Sequence, residues 1–218
     1  MGIFMNFRRR LNNIEELKRL TDKHGSNWWK DLLSLWHPSG SSIPDGQTGL
    51  RLAVRNNYLN FYLRGQSVAR VGFDRQCEPY AETHIKYAVE SDDDLGNLLC
   101  SSKRGLQEYV RLTDDGVIRR NGKAFGSYQG SSTLQHWITR AAKYNIRKKG
   151  ISEKASVDSA VGSNSNVIDL EMALPAWGGS ASALRIDLVS LEQKNKRIKL
   201  VFWEAKSAHD SRLVSTGE

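Results

Sequence analysis

Near its C-terminal end, the chain places apolar residues on every second position in three consecutive segments. In NVIDLEMALP, Ile168, Leu170, Met172 and Leu174 alternate with Asp169 and Glu171, beside an apolar Val167. In ALRIDLVSLE, Leu184, Ile186 and Leu188 stand against Arg185, Asp187 and Val189. In RIKLVFWEAK, Val201, Trp203 and Ala205 stand against Leu200, Phe202, Glu204 and Lys206. A period of two belongs to strands, whose successive side chains point to opposite faces. Pro175 and Gly178-Gly179 punctuate the first gap and QKNK the second, so three strands joined by turns are expected.

Asp169 and Asp187 fall inside these apolar strands. A buried carboxylate is costly unless it has a partner or a metal. Adjacent strands would bring Asp187 close to Glu204, with Lys206 two residues on and pointing the same way. Two acids and a base so placed suit metal-assisted phosphodiester hydrolysis. Asp187 and Glu204 would hold Mg²⁺, which favours carboxylate oxygens and keeps several waters, and the Ala205 carbonyl would add a ligand. The metal would acidify a bound water and stabilise charge on the phosphate. Lys206 would orient the attacking water or neutralise the developing charge.

Asp187 followed by Glu204-Ala205-Lys206 resembles the signature of the PD-(D/E)xK (restriction-endonuclease-like) nuclease superfamily. The resemblance runs from the helix near Ser132 onward and follows that family's order of helix, three strands, and E-x-K closing the third strand. It implies cleavage of DNA, sometimes RNA, by an endonuclease or exonuclease that uses Mg²⁺ or Mn²⁺. Members serve restriction, repair, recombination and phage defence. Two other E-x-K triplets occur, Glu16-Leu17-Lys18 in an expected helix and Glu192-Gln193-Lys194 in a polar turn. Only the third closes an apolar strand preceded by a strand bearing an Asp. The sequence also departs from the family pattern. Ile186 stands where many members have Pro, and the leading helix has no Glu. Glu171 or Glu153 would supply that metal ligand, with Glu171 favoured by its neighbouring strand; an ion pair between Glu171 and Arg185 is the alternative. The family core continues with a helix and a fourth strand, whereas HDSRLVSTGE supplies only the start of that helix. The core is therefore expected to stop after its third strand, or to be completed by a partner protein or a homodimer. A competing reading is a non-catalytic nucleic-acid-binding or assembly protein on a degenerate nuclease fold.

The segment SSTLQHWITRAAKYNIRKKG reads as a helix capped by Ser131 or Ser132 and stopped by Gly150. Leu134, Trp137, Ile138, Ala141 and Tyr144 would form its apolar face. Arg140, Lys143 and Arg147 would form a basic stripe opposite, suited either to solvent or to a phosphate backbone. The polar, Ser-rich SEKASVDSAVGSNSN that follows is expected to be a mobile loop.

Upstream, Ile14, Leu17 and Leu20 predict a helix over 12–24. In NWWKDLLSLW, Asn27 would cap a second helix with Trp29, Leu32, Leu33 and Trp36 on one face. LRLAVR, YLNFYLR and SVARVGF then read as an antiparallel meander, THIKYAV as a further strand, and the residues around Asp115-Gly116 as a last hairpin. SDDDLGNLLCSSKRGLQEYV fits no single element. Arg51, Arg55, Arg64 and Arg70 lie scattered through the strands, as on a solvated sheet face or a binding platform, the former favoured.

An α+β protein follows, with an N-terminal region over 1–130 and a nuclease-like core over 131–218. Its 218 residues and net charge of +8 suit a polyanionic partner such as nucleic acid. Cys77 and Cys100 form no C-x-x-C motif and are expected to be reduced and buried, as in a cytoplasmic protein. The apolar start precedes Arg8, Arg9 and Arg10, the reverse of a secretory signal. No run approaches the ~20 apolar residues of a membrane span. The five histidines show no metal-ligand spacing.

Overall fold

A computed structural model describes residues 10–25, 27–43, 49–99, 108–145, 153–173 and 185–206. These fall into two compact units. One comprises the described residues within 10–36, 52–63 and 67–144, the other those within 37–51, 64–66 and 145–206.

The first unit opens with α1 (Ile14–Asp22) and α2 (Trp28–Ser34). Leu17 and Leu20 turn inward from α1. Asn27 caps α2, its Oδ1 accepting the N–H groups of Trp29 and Lys30 at 3.1 and 3.0 Å. Trp28, Trp29 and Leu32 fill the buried side of α2. Trp36 was expected there but is exposed, because the helix ends at Ser34 and leaves it beyond the last turn.

Seven strands follow as a meander in sequence order: β1 (Arg51–Val54), β2 (Leu59–Leu63), β3 (Gln66–Phe73), β4 (Pro79–His84), β5 (Tyr109–Leu112), β6 (Val117–Arg120) and β7 (Lys123–Ser127). Phe61, Val71, Ala81, Val110 and Leu112 are fully buried on its inner face. THIKYAV does not continue as a strand. His84 ends β4, and its Nδ1 accepts the Lys86 N–H at 3.1 Å, which starts the short α3 (Ile85–Ala88). The segment that fitted no element begins as α4 (Asp92–Leu99). Ser91 and Asp94 cap it reciprocally: Ser91 Oγ accepts the Asp94 N–H, and Asp94 Oδ2 accepts the Ser91 N–H. α5 (Ser131–Asn145) closes this unit, with Leu134, Trp137, Ile138 and Ala141 buried as expected but Tyr144 exposed.

The strand arginines are not a plain solvated face. Arg51 and Arg55 are buried, Arg55 donating to the Tyr62 hydroxyl at 3.1 Å. Arg70 pairs with the buried Glu82, which also accepts from Arg111 Nε at 2.8 Å. Cys77 is an exposed free thiol rather than a core residue, on a turn where its φ is 66°. Cys100 lies outside the described residues.

In the second unit, α6 (Glu153–Ser163) leads directly into β8 (Val167–Ala173), β9 (Arg185–Lys194) and β10 (Arg197–Trp203). The strands form an antiparallel sheet in the order β10-β9-β8. α6 occupies the segment expected to be a mobile loop. Val157 and Val161, four apart, give it a narrow buried stripe, and Asp158 beside them meets the buried Arg51. The Arg51 guanidinium also donates from Nη1 to the carbonyls of His37, Pro38 and Ser41 at 2.8–3.1 Å. Burial pushes the Asp158 carboxyl up, against the pull of Arg51. The helix is thus held by a tertiary ion pair and two valines, which its Ser-rich composition conceals. Among the described residues, no helix is long and apolar enough to cross a membrane.

Candidate active site

Two acids 17 positions apart in sequence are brought level because one turn fixes the register of β9 and β10. Asn195 and Lys196 join β9 to β10 with φ of 52° and 65°, the pattern of a two-residue hairpin turn. Pairing then runs without a slip from Arg197↔Lys194 to Trp203↔Leu188. One step further puts Glu204 level with Asp187, on the same face.

At that step the ladder gives way to side-chain bonding. The Ala205 N–H donates to Asp187 Oδ2 at 2.6 Å instead of extending the strand. A hydrogen bond to a charged group contributes about 1.5–3 kcal/mol, enough to hold the exit of β10 against β9. The Lys206 ammonium donates to Glu204 Oε1, so acid and base meet across the intervening alanine. The Lys206 side chain is 23% exposed and that of Glu204 59%, so the lysine stem is covered while the carboxylate faces water. Trp203 braces the approach, its Nε1 donating to Ser190 Oγ on β9 at 2.9 Å. Asp187, Glu204 and Lys206 therefore come together around Ala205. Ala205 was expected to contribute its carbonyl; the structure adds a role for its N–H, whose direction depends on how the chain leaves β10 and is not read from sequence.

The other acids behave differently. Glu171 lies between the pairs Leu170↔Leu188 and Met172↔Ile186, level with Asp187, but its φ is 51°. Such a backbone is unfavourable for any side chain but glycine and breaks the regular pleat there. A register shift between Val167 and Asp169 upsets the expected alternation further. Ile168 is thrown outward and Asp169 turned inward, where its Oδ1 accepts the Leu170 N–H at 2.8 Å. Among the described residues, no three His, Cys, Asp or Glu side chains gather as a metal-holding group. Glu171 thus does not join Asp187 and Glu204 as a third ligand in this arrangement. Glu153 begins α6. Two carboxylates still match the hard-oxygen chemistry of Mg²⁺, which commonly takes one or two from protein and the rest from water and substrate phosphate.

The basic stripe of α5 is shorter than expected. Arg140 is 4% exposed, with Nη2 donating to Asp92 Oδ1 at 2.6 Å and Nε to the Lys86 carbonyl at 3.3 Å. It belongs to the packed side of the helix. Lys143 is exposed, and Arg147 lies outside the described residues. His136 Nε2 bonds to the Val89 carbonyl at 3.0 Å, a structural contact.

Compared with known proteins, the chain matches no family model, and no curated protein or solved structure matches it significantly.

Proposed function

We propose that this chain carries a Mg²⁺-dependent nuclease centre of the PD-(D/E)xK type, acting on DNA, with β8–β9–β10 as the strands of its core and α6 leading into them. The supporting observation is the closure of E-x-K onto the aspartate: the Ala205 amide bonds Asp187 while Lys206 meets Glu204. In this reading Asp187 and Glu204 hold the metal, which when bound acidifies water and draws charge from the scissile phosphate. The Ala205 amide orients Asp187 by engaging one of its oxygens. Lys206, tethered to Glu204, supplies positive charge where the phosphate gains negative charge. The net charge of +8 favours a polyanionic substrate. The exposed Cys77 thiol suits a reducing, cytoplasmic setting. A second reading, nucleic-acid binding without cleavage, draws on the absence of a third gathered acid among the described residues.

The test is cleavage of circular and linear DNA with Mg²⁺ or Mn²⁺ by the native chain and by Asp187→Asn, Glu204→Gln and Lys206→Met. Loss of one charge-stabilising group at a reacting centre typically costs about 10²–10³ in rate. Lys206→Met should lose cleavage yet still bind Mg²⁺, whereas the two acid variants should also lose metal affinity. A native chain that binds DNA but never cuts it would favour the second reading.

A further inference from the structure

β10 is an outer strand of its sheet, and among the described residues nothing pairs with its second edge. Outer strands in soluble proteins are usually blunted by charged side chains, proline, a bulge or a covering element. β10 carries Arg197 and Lys199 in its first half but no proline and no charge from Leu200 to Trp203, and it pairs with β9 over seven residues without a register shift. Its side chains leave a large apolar surface in water. Ile198, Leu200 and Phe202 share one face and are 73%, 51% and 50% exposed, and Leu191, opposite Leu200 on β9, extends that face. Scattered exposed apolar residues are ordinary, but a contiguous row along an open strand edge marks an interaction surface.

The charges beside this row indicate what it accepts. We propose that β10 pairs antiparallel with β10 of a second copy, about a two-fold axis at Leu200. A two-fold axis perpendicular to the sheet keeps like faces together, so only registers centred on a residue are allowed. Centred on Leu200, Ile198 faces Phe202 of the second copy, and Lys199 faces its Val201. Arg197 then stands beside Trp203 of the second copy, a cation–aromatic pairing. Just beyond the two strand ends, Lys196 of the turn comes beside Glu204 of the second copy, an approach of opposite charges made twice. The neighbouring registers fail by the same rule. A centre at Lys199 opposes two lysines, one at Ile198 sets Arg197 against Lys199, one at Val201 sets Lys196 against Lys206, and one at Phe202 sets Leu200 against Glu204. The sequence of this one strand is therefore self-complementary in a single register, and the result is one six-stranded sheet with a continuous apolar row.

Sedimentation velocity of the whole chain across a concentration series tests the pairing. The native chain should be a reversible dimer. Leu200→Lys, at a half-exposed position, puts two positive charges at the axis and should give a monomer with unchanged circular dichroism. Lys196→Glu sets like charges against Glu204 and should weaken association at least tenfold, while Lys196→Glu with Glu204→Lys restores it. A native chain that stays monomeric at its highest soluble concentration overturns the proposal, as does a dimer that survives Leu200→Lys. A dimer indifferent to Lys196→Glu overturns the Leu200 register.

Discussion

Arg140 shows how a residue type can mislead at the scale of a single side chain. Spaced three from Lys143 on a helix without acids, it reads as part of a basic stripe. Its angular position, however, falls at the border of the buried arc beside Trp137, where a long stem covers apolar surface and the head reaches a partner. That partner, Asp92, sits on α4, in a segment whose sequence gave no clear element, so the pair was invisible before the fold was known. Two substitutions on α5 separate the roles. Arg140→Ala should lower unfolding free energy by about 2 kcal/mol, the typical worth of a charge-assisted bond. Lys143→Ala should leave stability within about 0.5 kcal/mol. If Lys143 meets DNA backbone, it should also flatten the salt dependence of binding by ~0.9 log unit per lost contact. Chemical denaturation and salt-titrated binding on both variants give the answer.

Among the secondary-structure elements, legibility followed periodicity. The last three strands could be read because alternation survives in any sheet with a buried face, and their order could be read from the turns between them. α6 could not, because two valines in eleven residues form too thin a stripe and its stabilising arginine lies on β1, a hundred residues earlier. The bulge in β8 was equally hidden, since a register shift leaves no mark on composition. The β4–α3 junction has a further consequence. Burial, and then the nearby Lys86 charge, lower the His84 pKa, while Glu108 opposes them. The folded state therefore prefers the neutral ring, whose Nδ1 caps Lys86. This contribution is intact above the unfolded value of about 6.5 and is lost as pH falls through the lower folded value. Unfolding midpoints in urea should drop on acidification through that window. His84→Asn, which retains an acceptor but does not titrate, should flatten the profile.

For the molecule as a whole, the decisive contacts join residues distant in sequence. Inside the second unit, Arg51 is bound to three loop carbonyls and to Asp158, an arrangement no local pattern announces. Asp158→Asn keeps the shape but leaves a buried guanidinium without its counter-charge. It should cost about 3 kcal/mol, the low end for breaking a buried pair because the carbonyls remain, and a denaturant titration would register it. The candidate site was legible in part for the opposite reason: Asp187 lies on a strand, and Glu204 and Lys206 directly follow one, so parity can be counted up to them, whereas the Ala205 amide and the skewed Glu171 depend on backbone geometry. The hairpin between β9 and β10 carries an evolutionary consequence. The ladder that starts at this turn acts as a ruler whose units are pairs of residues. With the pairing of Arg197 and Lys194 kept, a relative that gained one residue inside β10, between the turn and Glu204, would turn Glu204 to the far side of the sheet from Asp187, while a gain of two would return it. Lineages that keep the two acids in partnership should therefore vary this stretch of strand in even steps, leaving the turn itself free to change length, and an odd step in the strand should mark a lineage in which the pairing has been abandoned.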